Sequence, residues 1–342
     1  MARTIFGIIA LTMAIEQVKA PKNFLYDLCI GKEVLERTAK FEIQTKDAGR
    51  IKSPLVGKRE KGVLIEKEGF VSNVYEPSYL KLFTINYAEE MLEQQFGRTK
   101  YESAKNASNL ELAKNLQRFK DISKRTKLWM LSTLLTTGSC PGASGKVAIK
   151  FGDFTKEVLA GDALFSNPDA DLIEYFENKQ LDIQKKTGKV IDTVVVTPDV
   201  AGHILNNNRV KGYLKDTNAT AFIQVSSTKE KSTGERKIAY LPTLGITIYS
   251  FMDWARNPEE DREEQLIPNK TVLGLCKGSF ETHYGAMALK AKQGVRATLH
   301  VKKEVVRTFS PNDSEDDEIQ YFSAPLIIPQ DAQSWFCAQV LA

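Results

Sequence analysis

The sequence is poor in the residues that build metal sites and disulfide frameworks. Its 342 residues include three histidines and four widely separated cysteines. No pair of cysteines forms C-x-x-C, and no two histidines stand four residues apart, so the usual zinc motifs and a disulfide-stapled domain are excluded. We predict no metal site and no cofactor, and we interpret the cysteines as buried free thiols of a reducing compartment: Cys29, Cys140, Cys276 and Cys337.

A strong charge imbalance and a long apolar run are also missing. The net charge is +4, which is too small to indicate nucleic-acid binding by itself. The apolar stretch Ile5–Ile15 imitates a secretory signal peptide, but it is too short to span a bilayer and is soon followed by Glu16 and Lys19. We therefore predict no membrane partner, and we expect a short N-terminal arm or helix that packs on the body or on a neighbouring copy.

The glycine-rich run GSCPGASGKV, residues 138–147, resembles a phosphate-binding loop at first reading. Such a loop has the pattern G-x-x-x-x-G-K-[ST]. If Gly145-Lys146 were its Gly-Lys pair, position 140 would need a glycine so that the backbone can wrap the phosphates, and position 147 would need a serine or threonine to hold Mg²⁺. Cys140 and Val147 occupy these two positions. We interpret the run as the turn that ends a helix and leads into a strand. A nucleotide-binding enzyme that uses Gly145-Lys146 remains a remote alternative.

Residues 40–84 form an unusual block of short strand-like runs. FEIQT, residues 41–45, alternates apolar and polar residues with the period of a strand, and residues 62–75 hold two more such runs. The block has too few apolar residues to bury a core of its own, so it predicts a long β-hairpin that projects from the body. Residues 40–67 contain eight basic against four acidic residues, which makes the projection locally positive.

The clearest predicted helix spans residues 108–137. Ser108 and Glu111 form a capping box at its start, and Gly138 follows its end as a natural C-terminal residue. A helix of this length is about 45 Å long and indicates an elongated domain. Nucleic-acid contact by its basic residues is an alternative, but we predict that they form a solvated face opposite the apolar stripe: Arg118, Lys120, Lys124, Arg125 and Lys127.

Downstream segments alternate helix and strand, then become mostly β. Residues 167–188 predict a helix with proline near its first turn, and residues 190–198 a buried strand followed by a short helix. Residues 236–251 predict two strands. Acidic runs at 259–264 and 312–318 lack the spacing of a calcium loop and predict solvated loops or interface patches. The chain is predicted to be α+β.

No catalytic site emerges from these patterns, whereas several shape features do. An N-terminal arm, a basic projecting hairpin and a very long helix stand out. Protrusions of this kind cannot stabilise themselves alone and usually find their partner surface on another subunit. We therefore predict a non-enzymatic assembly protein whose arm and hairpin both depend on neighbouring copies.

The C-terminal third carries a family resemblance. GITIYSF (245–251), IPNKTVLG (267–274), THYGAM (282–287) and YFSAPLIIP…AQVLA (321–342) follow in an order that resembles the lambda-type phage major head protein, the major capsid protein E family. TVVVTPDVAGHIL (193–205) agrees as well. The resemblance covers nearly the whole chain and implies the Hong Kong 97-type major capsid protein fold.

The resemblance also implies a division of the chain. The family's parts are an N-terminal arm, an extended E-loop, a peripheral (P) domain with a spine helix, and an axial (A) domain. Mapped onto this sequence, the expected segments are arm 1–40, E-loop 41–84, P domain 85–189 with spine helix 108–137, A domain 190–275, and C-terminal β segments 276–342 that return to the P domain.

The function that the resemblance implies is that of a major capsid protein of a tailed double-stranded DNA phage or prophage. Such proteins form hexamers and pentamers that tile an icosahedral shell, and they belong to the virion after assembly in the host cytoplasm. The expected partners are copies of the chain, scaffold, portal and decoration proteins, and packaged DNA held non-specifically. A tail-tube or baseplate subunit, or a non-viral shell on the same fold, remains an alternative.

Charge complementarity predicts the subunit contacts. We expect the basic part of the hairpin to meet the acidic loops at 259–264 or 312–318 of neighbouring copies, which would fix register more than affinity. The candidate contact residues are Pro54, Lys58, Arg59 and Lys61 on the hairpin and Glu260, Glu263, Asp316 and Asp317 on the acidic loops.

Overall fold

The computed structural model describes most of the chain, namely residues 8–19, 22–46, 55, 70–86, 104–142, 148–216, 234–257, 260–290, 296–309 and 317–342. Helices and strands both occur along this length. Within the described residues the α-helices are α1 (Ile8–Gln17), α2 (Phe24–Cys29), α3 (Ala104–Thr137), α4 (Leu172–Thr187), α5 (Pro198–Asn206) and α6 (Asn208–Asp216), with a 3-10 turn at Gly161–Ala163.

The strands are short and are spread over several sheets. They are β1 (Ile30–Leu35), β2 (Phe41–Lys46), β3 (Phe70–Tyr75), β4 (Leu80–Asn86), β5 (Ser139–Pro141), β6 (Ala148–Lys150), β7 (Thr155–Val158), β8 (Thr193–Val196), β9 (Glu235–Leu241), β10 (Ile246–Phe251), β11 (Trp254–Asn257), β12 (Arg262–Gln265), β13 (Thr271–Leu275), β14 (Phe280–Tyr284), β15 (Met287–Lys290), β16 (Ala297–His300), β17 (Val305–Phe309), β18 (Asp317–Ser323), β19 (Pro325–Pro329) and β20 (Phe336–Gln339).

A mixed six-stranded sheet, in the order β7-β20-β13-β8-β10-β9, forms the centre of the structure. All residues of β8 and β13 are buried, as their continuous apolar runs predict for strands covered on both faces. Helices α4, α5 and α6 contribute to the apolar cluster on one face, which includes Val194 and Val196. The cluster on the other face includes Val195 together with residues of α2 and α3. The C-terminal strand β20 thus belongs to the same sheet as β8, β9 and β10. Those three strands lie in the segment expected to be the A domain, residues 190–275, whereas β20 lies outside it.

One glycine in this sheet is required by packing. Gly274 lies opposite Phe336 in the antiparallel pair β13–β20. A Cβ atom at position 274 would lie 2.0 Å from the Phe336 ring, which is fully buried. The missing side chain of Gly274 therefore provides the space in which this ring packs.

Helix α3 is longer than predicted. It has 34 residues and a length of about 51 Å, and it begins at Ala104 rather than near Ser108. The capping-box prediction is wrong because Ser108 lies inside the helix, which residues with good helix propensity, among them Ala104 and Ala107, extend backwards. The predicted end is confirmed. Gly138 adopts φ 75°, and its N–H donates to the Leu134 carbonyl at 2.8 Å.

Two further predictions around loops are corrected. The run 138–147 contains strand β5, which pairs with β6, rather than only a turn; Gly145-Lys146 lie outside the described residues. Helix α4 begins at Leu172 and not at Pro168, because the Asp171 side chain caps it by accepting from the Glu174 N–H at 3.1 Å. The predicted stop at Gly188 is confirmed, with φ 77°.

Helix α1 packs on its own chain. Its buried residues Leu11 and Ile15 share an apolar cluster with Phe119 of α3 and with β17 and β18 residues. The expectation that the arm depends on a neighbouring copy is therefore wrong for α1, because its apolar stripe is already covered. Its outer face leaves Ile9 and Met13 exposed. None of the helices that the structure describes has the length and apolar character needed to cross a membrane.

Strands β2 and β3 form a two-stranded antiparallel ribbon, with pairs from Phe41–Tyr75 to Lys46–Phe70. Its base is anchored, since Phe41 is buried and stacks on His283 with 5.5 Å between ring centroids. Val74, by contrast, is 68% exposed. Between the two strands the structure describes Leu55, which is exposed. Strand β4, also within the predicted hairpin block, pairs instead with β18 in the sheet β17-β18-β4.

Candidate functional site

The structure describes only part of the predicted contact residues. Pro54, Lys58, Arg59, Lys61 and Asp316 lie outside the described residues. Asp317 is the first residue of β18, and of its side chain nothing is described. Glu260 and Glu263 belong to the hairpin β11–β12, so the two acidic loops occupy different sheets.

The two glutamates of the β11–β12 hairpin have different environments. Glu260 forms an ion pair with Arg262 at 2.7 Å, and Asp261, at φ 51° in the turn, forms an ion pair with Arg256. Glu264 also accepts from Arg262, at 3.3 Å. Exposed Glu263 has no ion-pair or hydrogen-bond partner within the described part of the chain. The two arginines of the hairpin thus pair with three of its described carboxylates, and Glu263 is the exposed glutamate without a partner among the described residues.

The basic residues of α3 do not form the solvated face that the sequence predicts. Arg118 and Arg125 are exposed. The side chains of Lys120, Lys124 and Lys127 are mostly buried and form ion pairs with carboxylates of other elements. The prediction is wrong for these three lysines, which therefore cannot offer a continuous basic surface to nucleic acid.

Lys127 is the centre of a buried polar network. Its Nζ donates to Tyr284 Oη at 3.2 Å and lies 3.8 Å from Glu304 Oε1. Tyr284 in turn donates to Glu33 Oε1 at 3.0 Å, while Lys303 donates to Glu33 Oε2 at 2.5 Å. The network joins α3 to β1, β14 and the segment that precedes β17, so it fixes the long helix to two of the smaller sheets.

The charges in this network shift one another's titration. Burial lowers the pKa of Lys127, and the carboxylates of Glu304 and Glu33 oppose that shift. Burial alone would raise the pKa of Glu33, but the hydrogen bond and charge of Lys303, together with the charge of Lys127, hold this pKa below its usual value. The sequence carried a signal for the network, because Lys120, Lys124 and Lys127 stand at the i, i+4, i+7 spacing of one helix face.

A cavity of about 410 Å³ lies on another side of α3. It is bounded by Asp121, Lys124, Arg125 and Leu128 of the helix, by Lys22 and Asn23 before α2, and by Gly234 and Met252–Trp254 around β10 and β11. Trp254 is 47% exposed. We call this feature the Trp254 groove. Sequence analysis missed it, because three distant segments build it.

The cysteines do not offer reactive thiols. All four are free and buried. Burial raises the pKa of Cys140 to about 12 and the pKa values of Cys276 and Cys337 to about 11, so these thiols stay protonated near neutral pH. Buried free thiols were predicted, and the burial is confirmed. Among the described residues no group of three or more His, Cys, Asp or Glu side chains could hold a metal ion.

Comparison with known protein families identifies the family of this chain. The family model for phage major capsid protein E matches residues 8–340. The chain belongs to this family. It is thus a major capsid protein of a tailed phage or prophage and a component of the virion, as the sequence motifs predicted. The family consists of structural proteins of phage capsids.

Solved structures support the fold of this capsid protein. A protein assigned as a prophage capsid protein of E. coli CFT073 aligns with TM-score 0.66 at 12% identity, covering 99% of this chain and 100% of that one. A phage-related protein of Bordetella bronchiseptica RB50 gives TM-score 0.51 at 10% identity, covering 99% and 98%. The mature capsid of bacteriophage PhiM1 gives 0.52 at 11%, covering 94% and 88%. No curated protein matches the sequence significantly.

These similarities confirm the predicted Hong Kong 97-type capsid fold. The capsid family match favours the capsid function over the tail-tube, baseplate and enzyme alternatives. For a capsid protein the functional surfaces are those that face other copies. The β2–β3 ribbon, the β11–β12 hairpin and the Trp254 groove are therefore the candidate sites.

Proposed function

We propose that copies of this chain associate as hexamers and pentamers into an icosahedral shell around packaged double-stranded DNA. The single observation that carries the proposal is the β2–β3 ribbon, a two-stranded sheet that its described side chains anchor near its base, through Phe41, Ile43 and Tyr75. An isolated two-stranded hairpin is marginally stable in water, so further surface has to come from elsewhere. A contact in which a ribbon meets a different patch on the next copy is heterologous, and such contacts close into rings when the rotation permits.

The segment assignments belong to the same proposal. Residues 1–40 act as the arm, 41–84 as the E-loop, 85–189 as the P domain with its spine helix, 190–275 as the A domain, and 276–342 as β segments that return to the P domain. Two strands depart from this division, because β4 joins the sheet of β17 and β18, and β20 joins the sheet of β8 and β10. Helix α3 supports the spine role, since its N-terminal half packs on α1, β17 and β18 and its C-terminal half on α2, β14 and β19.

Assembly takes place in the host cytoplasm with scaffold, portal and decoration proteins in this proposal. The packaged DNA is held non-specifically. A net charge of +4 suits that role, because DNA confined by a shell does not need to be bound through many phosphate contacts. The protein acts structurally, without a catalytic step or a cofactor.

The basic part of the E-loop contacts an acidic loop of the neighbouring copy. Lys58, Arg59 and Lys61, with Pro54 nearby, are the basic side of this contact. On the acidic side Glu263 is exposed and unpaired within the described residues, whereas Glu260 already has Arg262 as its partner. The run 312–318, with Asp316 and Asp317, is the other acidic candidate. Complementary charges of this kind set register and association rate more than affinity.

Charge reversal tests this contact. Lys58→Glu, Arg59→Glu and Lys61→Glu together should abolish shells in electron micrographs of the expressed protein, while its thermal unfolding stays that of the wild type. The matched control reverses three lysines of α4 and the loop after it, Lys185→Glu, Lys186→Glu and Lys189→Glu, and should assemble normally. Normal shells from the E-loop variant would exclude this contact.

A further inference from the structure

His283 contacts both ends of the segment that leads from β1 into the ribbon. We call this segment, residues 36–41, the ribbon connector. At its start, His283 Nδ1 lies 2.8 Å from Glu36 Oε1. At its end, the imidazole stacks on the buried Phe41 ring, with 5.5 Å between the centroids and 20° between the planes. Two backbone hydrogen bonds, of 2.8 and 3.1 Å, join the connector to the chain at and just after the end of β14. One histidine side chain thus contacts the base of the ribbon at two points.

A second carboxylate lies on the other side of the imidazole. His283 Nε2 is 3.4 Å from Glu281 Oε2, and the His283 side chain is 13% exposed. A neutral imidazole has a single N–H, so it can donate to one of the two carboxylates and turns a lone pair towards the other. The imidazolium ion has an N–H on each nitrogen. The site therefore fits the charged form of His283 better than the neutral form.

The elements packed against His283 supply no other cation to these carboxylates. Three cations of these elements are exposed, namely Lys32 of β1 and Arg37 and Lys40 of the connector. Within the part of the chain that the structure describes, none of them pairs with Glu36 or Glu281, and Lys40 pairs with Glu76 at 2.9 Å. Strand β2 adds Glu42, which accepts from β3, and β19 has only apolar residues. When protonated, His283 is therefore the cation that both carboxylates contact.

We propose that the charge of His283 controls how firmly the base of the β2–β3 ribbon is held. Histidine is the side chain that changes its charge between pH 5 and 8. Protonation gives each ring nitrogen an N–H for its carboxylate, and charge-assisted hydrogen bonds are roughly twice as strong as neutral ones. It also places a cation against the face of Phe41. Loss of the proton weakens the contacts at both ends of the connector, so the base is held firmly at low pH and loosens as the pH rises. This attachment lies within one molecule and goes beyond the proposed assembly into a shell.

Amide hydrogen exchange of the full-length, unassembled protein at pH 5 and pH 8 tests this proposal. Protection factors are measured by mass spectrometry on peptides that cover residues 36–46 and 70–77, and they are corrected for the intrinsic exchange rate at each pH. In the wild type these factors should be about fivefold higher at pH 5, because local opening has to break the charged contacts. A peptide that covers β8 of the central sheet should change by less than about twofold.

Replacement of His283 should remove the pH dependence. His283→Gln keeps a polar side chain that does not titrate, so the protection of the ribbon base at pH 5 and at pH 8 should agree within about twofold. His203→Gln is the matched control, because His203 is exposed on α5. The control should keep the difference of about fivefold.

Glu281→Gln should instead keep the base firmly held at high pH. The new amide group can donate to the Nε2 lone pair of neutral His283, while Nδ1–H donates to Glu36. The amide oxygen remains for Gln330, which donates to Glu281 Oε1 at 3.0 Å in the wild type. Protection at pH 8 should rise to within about twofold of the wild-type value at pH 5. Because a disturbed fold would lose protection at both pH values, this variant also decides the question if His283→Gln does not fold.

The outcomes separate this inference from the proposed function. Equal protection of the wild-type ribbon base at both pH values would overturn the inference. So would a His283→Gln variant that keeps the difference, or a Glu281→Gln variant whose protection at pH 8 stays at or below the wild-type value. These results would leave the shell function intact, since the measurement uses unassembled chains. A protein that forms no shells would remove the proposed function and leave the role of His283 standing.

Discussion

The six-stranded sheet and the β2–β3 ribbon are two β structures of opposite character within one chain. In the sheet, strands β8 and β13 are buried along their whole length and are covered on both faces. In the ribbon, each strand has a single partner, and Phe41 at the base is buried while Val74 is exposed. The sheet is covered within one molecule, whereas the described side chains of the ribbon other than Phe41 are exposed or half-buried.

This difference separates folding from assembly. Burial of apolar surface stabilises the sheet and its helices, whereas Phe41 is the buried residue among the described side chains of the ribbon. The N-terminal arm shows that a segment near the end of the chain can still belong to the folded body. Helix α1 comes first in the described chain, yet it packs on its own body through Leu11 and Ile15. Changes in the body should therefore alter stability, and changes in the ribbon should alter assembly.

The largest effect on stability is expected at Lys127. Lys127→Met removes a buried charge and leaves Glu304 with Lys120 as its remaining close cation, so the free energy of unfolding should fall by about 3 kcal/mol. Chemical denaturation measures it. Lys127→Met combined with Glu304→Gln should recover part of this loss, since the second change removes the uncompensated carboxylate. Strict additivity of the two changes would contradict a coupled network.

A smaller loss is expected where Gly274 faces Phe336. Gly274→Ala places a Cβ within 2.0 Å of the ring and should lower the free energy of unfolding by about 1–3 kcal/mol. Gly202→Ala in α5 is the matched control, because nothing lies within 4 Å of its added Cβ. The control should be neutral or should stabilise the helix by up to about 1 kcal/mol. Equal behaviour of both variants would show that the ring moves aside freely.

Acid should weaken the body through Glu33. Its pKa is lower in the folded protein than the usual value of 4.5, so its contribution to stability is present above pH 4.5 and is lost as the pH falls towards the lowered value. The melting temperature should therefore drop between pH 5 and pH 3. Glu33→Gln should flatten this part of the profile. If Glu33→Gln shows the same fall in melting temperature as the wild type, other carboxylates cause the acid sensitivity.

Local sequence signals predicted much of the body. The apolar run 190–198 predicts β8, and the glycines at 138 and 188 end α3 and α4 through the positive φ angles that glycine adopts readily. The start of α4 was missed because Asp171 and not Pro168 supplies the cap. Caps depend on which side chain reaches a free N–H, and two candidates three residues apart look alike in sequence.

The candidate sites were less predictable because distant segments build them. The three lysines of α3 look like a solvated stripe until Glu33, Tyr284 and Glu304 surround them. Glu260 and Glu263 are equivalent in sequence, and only the hairpin geometry gives Glu260 an arginine partner. The family motifs, by contrast, lie in segments that pack together, so the fold was accessible from sequence where the contact surfaces were not.

Removal of residues 47–69, which connect β2 to β3, tests most directly whether this region serves assembly and not folding. Lys46 pairs with Phe70, so residues 47–69 can be replaced by Asn-Gly, which favours a two-residue hairpin turn. We predict a folded monomer that forms no shells in electron micrographs. Its melting temperature should lie within a few degrees of the wild type, because its free energy of unfolding should change by less than about 1 kcal/mol. Normal shells from this variant, or a chain that no longer folds, would contradict the account.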